Sequence, residues 1–85
     1  MEVIEFKSIS PFYELEESGD KPFTVRKVDP DDIRFSRLAN WDYKSELVLR
    51  SRDPATGKSF DRRIVDWYYP CKGWVLIFFA RQSSE

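Results

Sequence analysis

The stretch WVLIFFA, residues 74–80, constrains this chain more than any other. Seven consecutive apolar residues are far fewer than the roughly 20 needed to span a bilayer as a helix. They are also short for a buried helix, and they are rich in aromatic and β-branched side chains. A strand that is apolar on both faces belongs in the middle of a sheet, with neighbours on either side. A chain of 85 residues must supply those neighbours itself. That means one small domain, 1–85, with a dense core. The composition suits it: 16% of residues are aromatic, high for any chain and unlike a disordered one, and 34% are charged, enough for a soluble surface.

The partners of that strand can be read from turn chemistry. VIEF (3–6) reads as a first strand. Ser10 is placed to cap a helix and Pro11 to occupy its first position, so PFYELEES (11–18) reads as two helical turns with Phe12 and Leu15 on one face. Gly19 is the left-handed stop. PFTVRKV (22–28) is a second strand opened by Pro22. In DPDDIRFSRL (29–38), Asp29 can cap and Pro30 can start a short helix. ELVLRSR (46–52) and SFDRRIVDW (59–67) form a hairpin around DPATGK (53–58). DWYYP (66–70) then reads as an ordered connection, because Tyr69 precedes a proline. The order β-α-β-(α)-β-β-β predicts an α+β domain with a mostly antiparallel sheet, curled into a small barrel with one or two short helices.

Composition excludes several chemistries. The chain has one cysteine, Cys71, and no histidine, which rules out an intrachain disulfide, His-based acid–base catalysis and almost every zinc site. DPDD (29–32) lacks the spacing of a calcium loop and reads as capping. No metal or cofactor is expected. The start, MEVIEFKS, has neither the basic residues nor the apolar run of a signal peptide, so a cytoplasmic protein with no membrane partner is expected. Net charge is −1 but unevenly spread: residues 1–32 carry nine acids against four bases, and residues 33–85 ten bases against six acids. A basic end attracts nucleic acid or an acidic protein, unless folding mixes the charges again.

Two groups of residues are candidates for a site. Thr24 and Arg26 share a face of their strand, and Lys21 can reach that face from just before it. A guanidinium fork, an ammonium and a hydroxyl together make a clamp for an anion or the edge of a base. The plain alternative is three solvated residues on an edge strand. The second group, Arg50, Arg52, Arg62 and Arg63 with Lys58, lies on the hairpin. Beside the aromatics Trp41, Tyr43 and 67–69 it would suit RNA phosphates and unstacked bases; otherwise the arginines pair with Asp53, Asp61 and Asp66, and the aromatics cap the barrel as core or rim packing.

The first group also carries a resemblance. GDKPFTVR (19–26) matches the pattern G-x-K-x-x-[E/T]-x-R of the ASCH domain family, part of the PUA-like superfamily. The likeness continues through LVLRSRDPATGKSFDRRI (47–64) and GWVLIFF (73–79), so it spans nearly the whole chain and is similar to small phage and bacterial members of an RNA-binding type. It implies a small β-barrel whose signature lines a ligand cleft, with Lys21, Thr24, Arg26 and the hairpin arginines holding RNA or a nucleotide. Thr24 stands where most of that class has Glu. A branch resembling amidohydrolases of acetylated cytidine has Thr there, with Lys21 implied as nucleophile and Thr24 as its activator. That branch also needs a later Glu, whereas beyond residue 32 this chain has only Glu46 and Glu85. Three readings follow: an RNA- or nucleotide-binding module, an amidohydrolase, or a phage-encoded protein that docks on a host protein through its acidic helix YELEES (13–18).

Overall fold

The computed structural model describes residues 2–82. Five strands and two helices follow the order β1 (Glu2–Lys7), α1 (Phe12–Ser18), β2 (Phe23–Lys27), α2 (Ile33–Ala39), β3 (Leu47–Arg52), β4 (Ser59–Cys71) and β5 (Trp74–Phe79). They form one sheet in the spatial order β1-β3-β4-β5-β2, curled strongly into a half-barrel. Only β1 and β3 are parallel; the other three pairings are antiparallel. The α+β class and the mostly antiparallel sheet therefore stand. β5, the apolar run of the sequence, is interior to the sheet between β4 and β2. Its Val75, Ile77 and Phe79 are buried on the concave side with Ile4, Phe6, Leu47, Leu49 and Ile64. α2 closes that core with Phe35 and Leu38. None of the described helices is long and apolar enough to cross a membrane.

Four local expectations change. The first helix buries Tyr13 and Glu16 and leaves Phe12 and Leu15 exposed, so it is turned by one residue from the apolar face read in the sequence. The reason is that both buried side chains find partners. Tyr13 packs on Phe60 with ring centroids 5.2 Å apart, and the Glu16 carboxylate is met by two polar groups. Ser10 does not cap this helix: Pro11 holds the cap position and the Ile9 carbonyl accepts the Tyr13 N–H at 3.0 Å. The Ser10 hydroxyl turns instead to the Glu14 carboxylate. In the second helix the cap is Asp32, accepting from the Arg34 N–H at 3.0 Å, while Asp29 accepts from the Asp31 N–H in the turn before it. Finally, residues 66–70 are not a connection but the far half of β4. Its pairing with β5 slips between Ile64 and Asp66 and again between Tyr68 and Cys71, and the second slip accommodates Pro70, which has no N–H for a ladder.

Gly19 ends α1 as read, with φ 88°, and its N–H donates to the Glu16 carbonyl at 3.3 Å. A Cβ there would sit 3.2 Å from the Arg81 carbonyl oxygen. Gly19→Ala should lower the unfolding free energy by about 1–2 kcal/mol, the cost of a left-handed non-glycine residue, as read by urea denaturation followed by circular dichroism.

Candidate functional site

The reversal after Gly19 brings the chain back against α1. The Lys21 N–H donates to the Leu15 carbonyl at 2.9 Å, which holds the lysine beside the helix it has just left. Its ammonium then meets Glu16. Glu16 Oε2 accepts from Lys21 Nζ at 3.2 Å and Oε1 accepts from Ser8 Oγ at 3.2 Å. Glu16 is only 1% exposed. A carboxylate so deep is tolerated because a cation and a hydroxyl both satisfy it. The rings of Phe12 and Phe23 lie 5.0 and 5.2 Å from Lys21 Nζ and flank the ammonium.

β2 adds the next two groups. Strand alternation sends Thr24 and Arg26 to the concave side, where Arg26 Nε donates to Thr24 Oγ1 at 3.0 Å. Arg26 then reaches across to β1, and its Nη1 donates to the Lys7 carbonyl at 2.7 Å. β1 and β2 are the two edges of the sheet, so this side chain bridges the seam of the half-barrel. The Arg26 guanidinium lies 4.9 Å from the Phe6 ring centroid, and Arg34 from α2 lies 4.3 Å from the same ring. Arg34 Nη1 also donates to the Glu5 carbonyl at 2.6 Å, and Asp32 holds the rest of its fork. Two carbonyls of the β1 edge are thus occupied by arginines rather than left open to another strand.

These residues line one groove along the seam. A cavity of about 420 Å³ is bordered by Ser8, Phe12, Glu16, Lys21, Thr24 and Arg26. A second, of about 640 Å³, is bordered by Glu5, Phe6, Asp29, Asp32 and Arg34. Lys7 and Arg26 border both, so Arg26 divides the groove. Burial pushes the Arg26 guanidinium below the ordinary arginine pKa; Glu16 works against that shift and Arg34 adds to it. A cation in such a partly dry place interacts more strongly with a ligand acceptor than one in open water.

Lys21, Thr24 and Arg26 therefore converge as the sequence pattern suggests. The hairpin arginines do not join them. Arg50 makes two parallel hydrogen bonds to Asp61, at 2.8 and 2.9 Å. Arg52 pairs with Glu5 at 3.2 Å and donates to the Gly57 carbonyl. Arg62 is buried against Phe60 and donates to the Glu17 carbonyl at 2.6 Å. Arg63 borders a separate hollow with Trp41 and Tyr43. Folding also remixes the uneven charge in part, since Arg34, Arg37 and Arg52 of the basic portion pair with Asp32, Glu2 and Glu5 of the acidic one. The site residues that sequence reasoning missed are Glu16 and Ser8. The signal for Glu16 was its three-residue spacing from Tyr13, masked by the more apolar Phe12 and Leu15 at the same spacing.

Scans of protein-family models and of curated proteins find no match to this chain.

Two outcomes are expected. Lys21→Met leaves the Glu16 carboxylate buried without its cation and should cost roughly 1–3 kcal/mol in urea unfolding, more than Glu16→Gln, which removes the charge itself. The hydrogen bonds from Arg34 and Arg50 hold the Asp32 and Asp61 carboxyls below their usual range. A carboxyl lowered in the folded state stabilises above its unfolded pKa and loses that contribution as pH falls through the folded value. Stability should therefore hold down to about pH 4 and fall below it, with a shallower fall in Arg34→Ala and Arg50→Ala, measured by denaturation at stepped pH.

Proposed function

We propose that the chain is an ASCH-type, PUA-like binding module whose groove takes a nucleotide unit of single-stranded RNA or a free nucleotide. The observation that supports this reading is the convergence of Lys21, Thr24 and Arg26 with the buried Glu16 on one groove. Ammonium and guanidinium groups suit phosphate and carbonyl oxygens, and the buried Glu16 carboxylate holds the ammonium in place beside the groove. Phe12, exposed at the mouth, offers a ring for stacking. In this reading the seam bridged by Arg26 is where a PUA-like barrel closes, and the exposed free thiol of Cys71 suits the reducing conditions of a cytoplasm.

One contact favours a second reading. Glu16 beside Lys21 is the carboxylate that an amidohydrolase would need, supplied by α1 rather than by a late segment. Such an enzyme would use water to split the N-acetyl bond of acetylated cytidine into acetate and the free amine. It is the lesser reading because Lys21 Nζ is committed as a donor to Glu16, whereas an attacking amine needs its lone pair free.

Fluorescence anisotropy with a labelled single-stranded RNA tests the binding reading. Affinity should fall with salt, and Lys21→Ala combined with Arg26→Ala should weaken it by about tenfold or more. No binding at low salt would overturn it. Intact acetylated cytidine after long incubation with excess protein would remove the hydrolase.

A further inference from the structure

The convex face of the sheet carries a second feature, separate from the concave core. Alternation along β2, β5 and β4 sends every other residue outward, and the register aligns them in three rows. The first row is Lys27, Trp74 and Cys71; the second is Val25, Leu76 and Tyr68; the third is Phe23, Phe78 and Asp66. Apart from Cys71 and the two charges, these positions are aliphatic or aromatic. Val25, Tyr68 and Trp74 are 43%, 51% and 41% exposed, and Phe23, Leu76 and Phe78 are half-buried. The rings of Tyr68 and Phe78 stack at 5.8 Å, so they present one continuous surface rather than scattered side chains. Neither helix covers it: the buried side chains of α2 lie in the concave core, and those of α1 meet Phe60 and the seam groove. This also explains why β5 is apolar on both faces although only one is covered within the chain.

We propose that this face pairs with the same face of a second copy of the chain. The placement of charge selects that occupant. Lys27 and Asp66, one of each sign, stand at diagonally opposite corners of the patch, and neither forms a salt bridge among the described residues. Two copies stacked face to face about a two-fold axis on the other diagonal, near Leu76, put each Lys27 against the partner's Asp66. The same operation sets Val25 against the partner's Phe78 and Tyr68 against the partner's Trp74, apolar against apolar, while Phe23, Leu76 and Cys71 lie along the axis and meet their own copies. The strands of the two sheets then cross near a right angle, one of the two usual ways in which sheets pack. Such an isologous contact is closed and does not propagate. A nucleic-acid strand is the poorer occupant, because Asp66 sits within the patch and would repel phosphate.

Size sets the strength. At about 4.8 Å between strands and about 6.8 Å per pair of residues, the nine outward positions of this convex face span about 300 Å². That is well under the roughly 800 Å² per partner of a standard stable interface, so the dimer is weak and concentration-dependent.

Sedimentation velocity over a concentration series, without RNA, tests this. The wild-type chain should shift from monomer towards dimer as concentration rises. Lys27→Asp and Asp66→Lys should each abolish the shift, and the double exchange should restore it, with circular dichroism confirming that all variants fold. A monomer at every concentration overturns the proposal. So does a dimer that survives the single exchanges, or one that the double exchange fails to restore. Monomers whose RNA affinity drops on Tyr68→Ala, a patch residue that does not border the seam groove, would overturn it as well, by assigning the face to nucleic acid.

Discussion

The fold depends on how an open sheet manages its seam. β1 and β2 share no ladder, and Arg26 bridges them with hydrogen bonds to Thr24 on its own strand and to the Lys7 carbonyl on the other. Its guanidinium rests on Phe6, a core residue, so the bridge is seated on the same apolar cluster that stabilises the sheet. Arg34 repeats the arrangement one step along, from α2 to the Glu5 carbonyl and the same ring. A planar donor fork suits this task better than an ammonium, because it can lie flat on a ring while donating from its edge.

Once the seam is held this way, the groove follows. Lys21, Thr24 and Arg26 come from a strand and the turn before it. The turn is fixed by Gly19, and Glu16 completes the set from the helix that the turn ends. The site is thus assembled from residues close in sequence, apart from Ser8 and the β1 carbonyls. That locality is why a short pattern such as GDKPFTVR could carry so much of it.

The sequence was most informative where chemistry is local. Gly19 as a stop, Pro22 ahead of a strand, the turn at 53–58 and the double-faced apolar run all took the expected form. It misled where a tertiary partner decides. Phe12 and Leu15 have the spacing of a buried face, yet Tyr13 and Glu16 took it because Phe60, Ser8 and Lys21 wait on that side. Burying a charge is a poor guess from a single sequence, since its cost is met only by partners that the fold brings near. The hairpin arginines show the reverse: they are prominent in the sequence, but Arg50, Arg52 and Arg62 are engaged in contacts that hold strands and helix together. Residues 66–70 were hidden by Pro70, which ordinarily argues against a strand and is tolerated here at a slip in pairing.

Whether the seam groove binds a nucleotide is read by titrating a nucleoside monophosphate and following amide chemical shifts in a nitrogen–proton NMR spectrum. Binding in the groove should give saturable shifts at Ser8, Glu16, Lys21, Thr24 and Arg26, with the hairpin around Arg50 and Arg52 unmoved. Shifts confined to that hairpin, or no shift at any concentration, would contradict it.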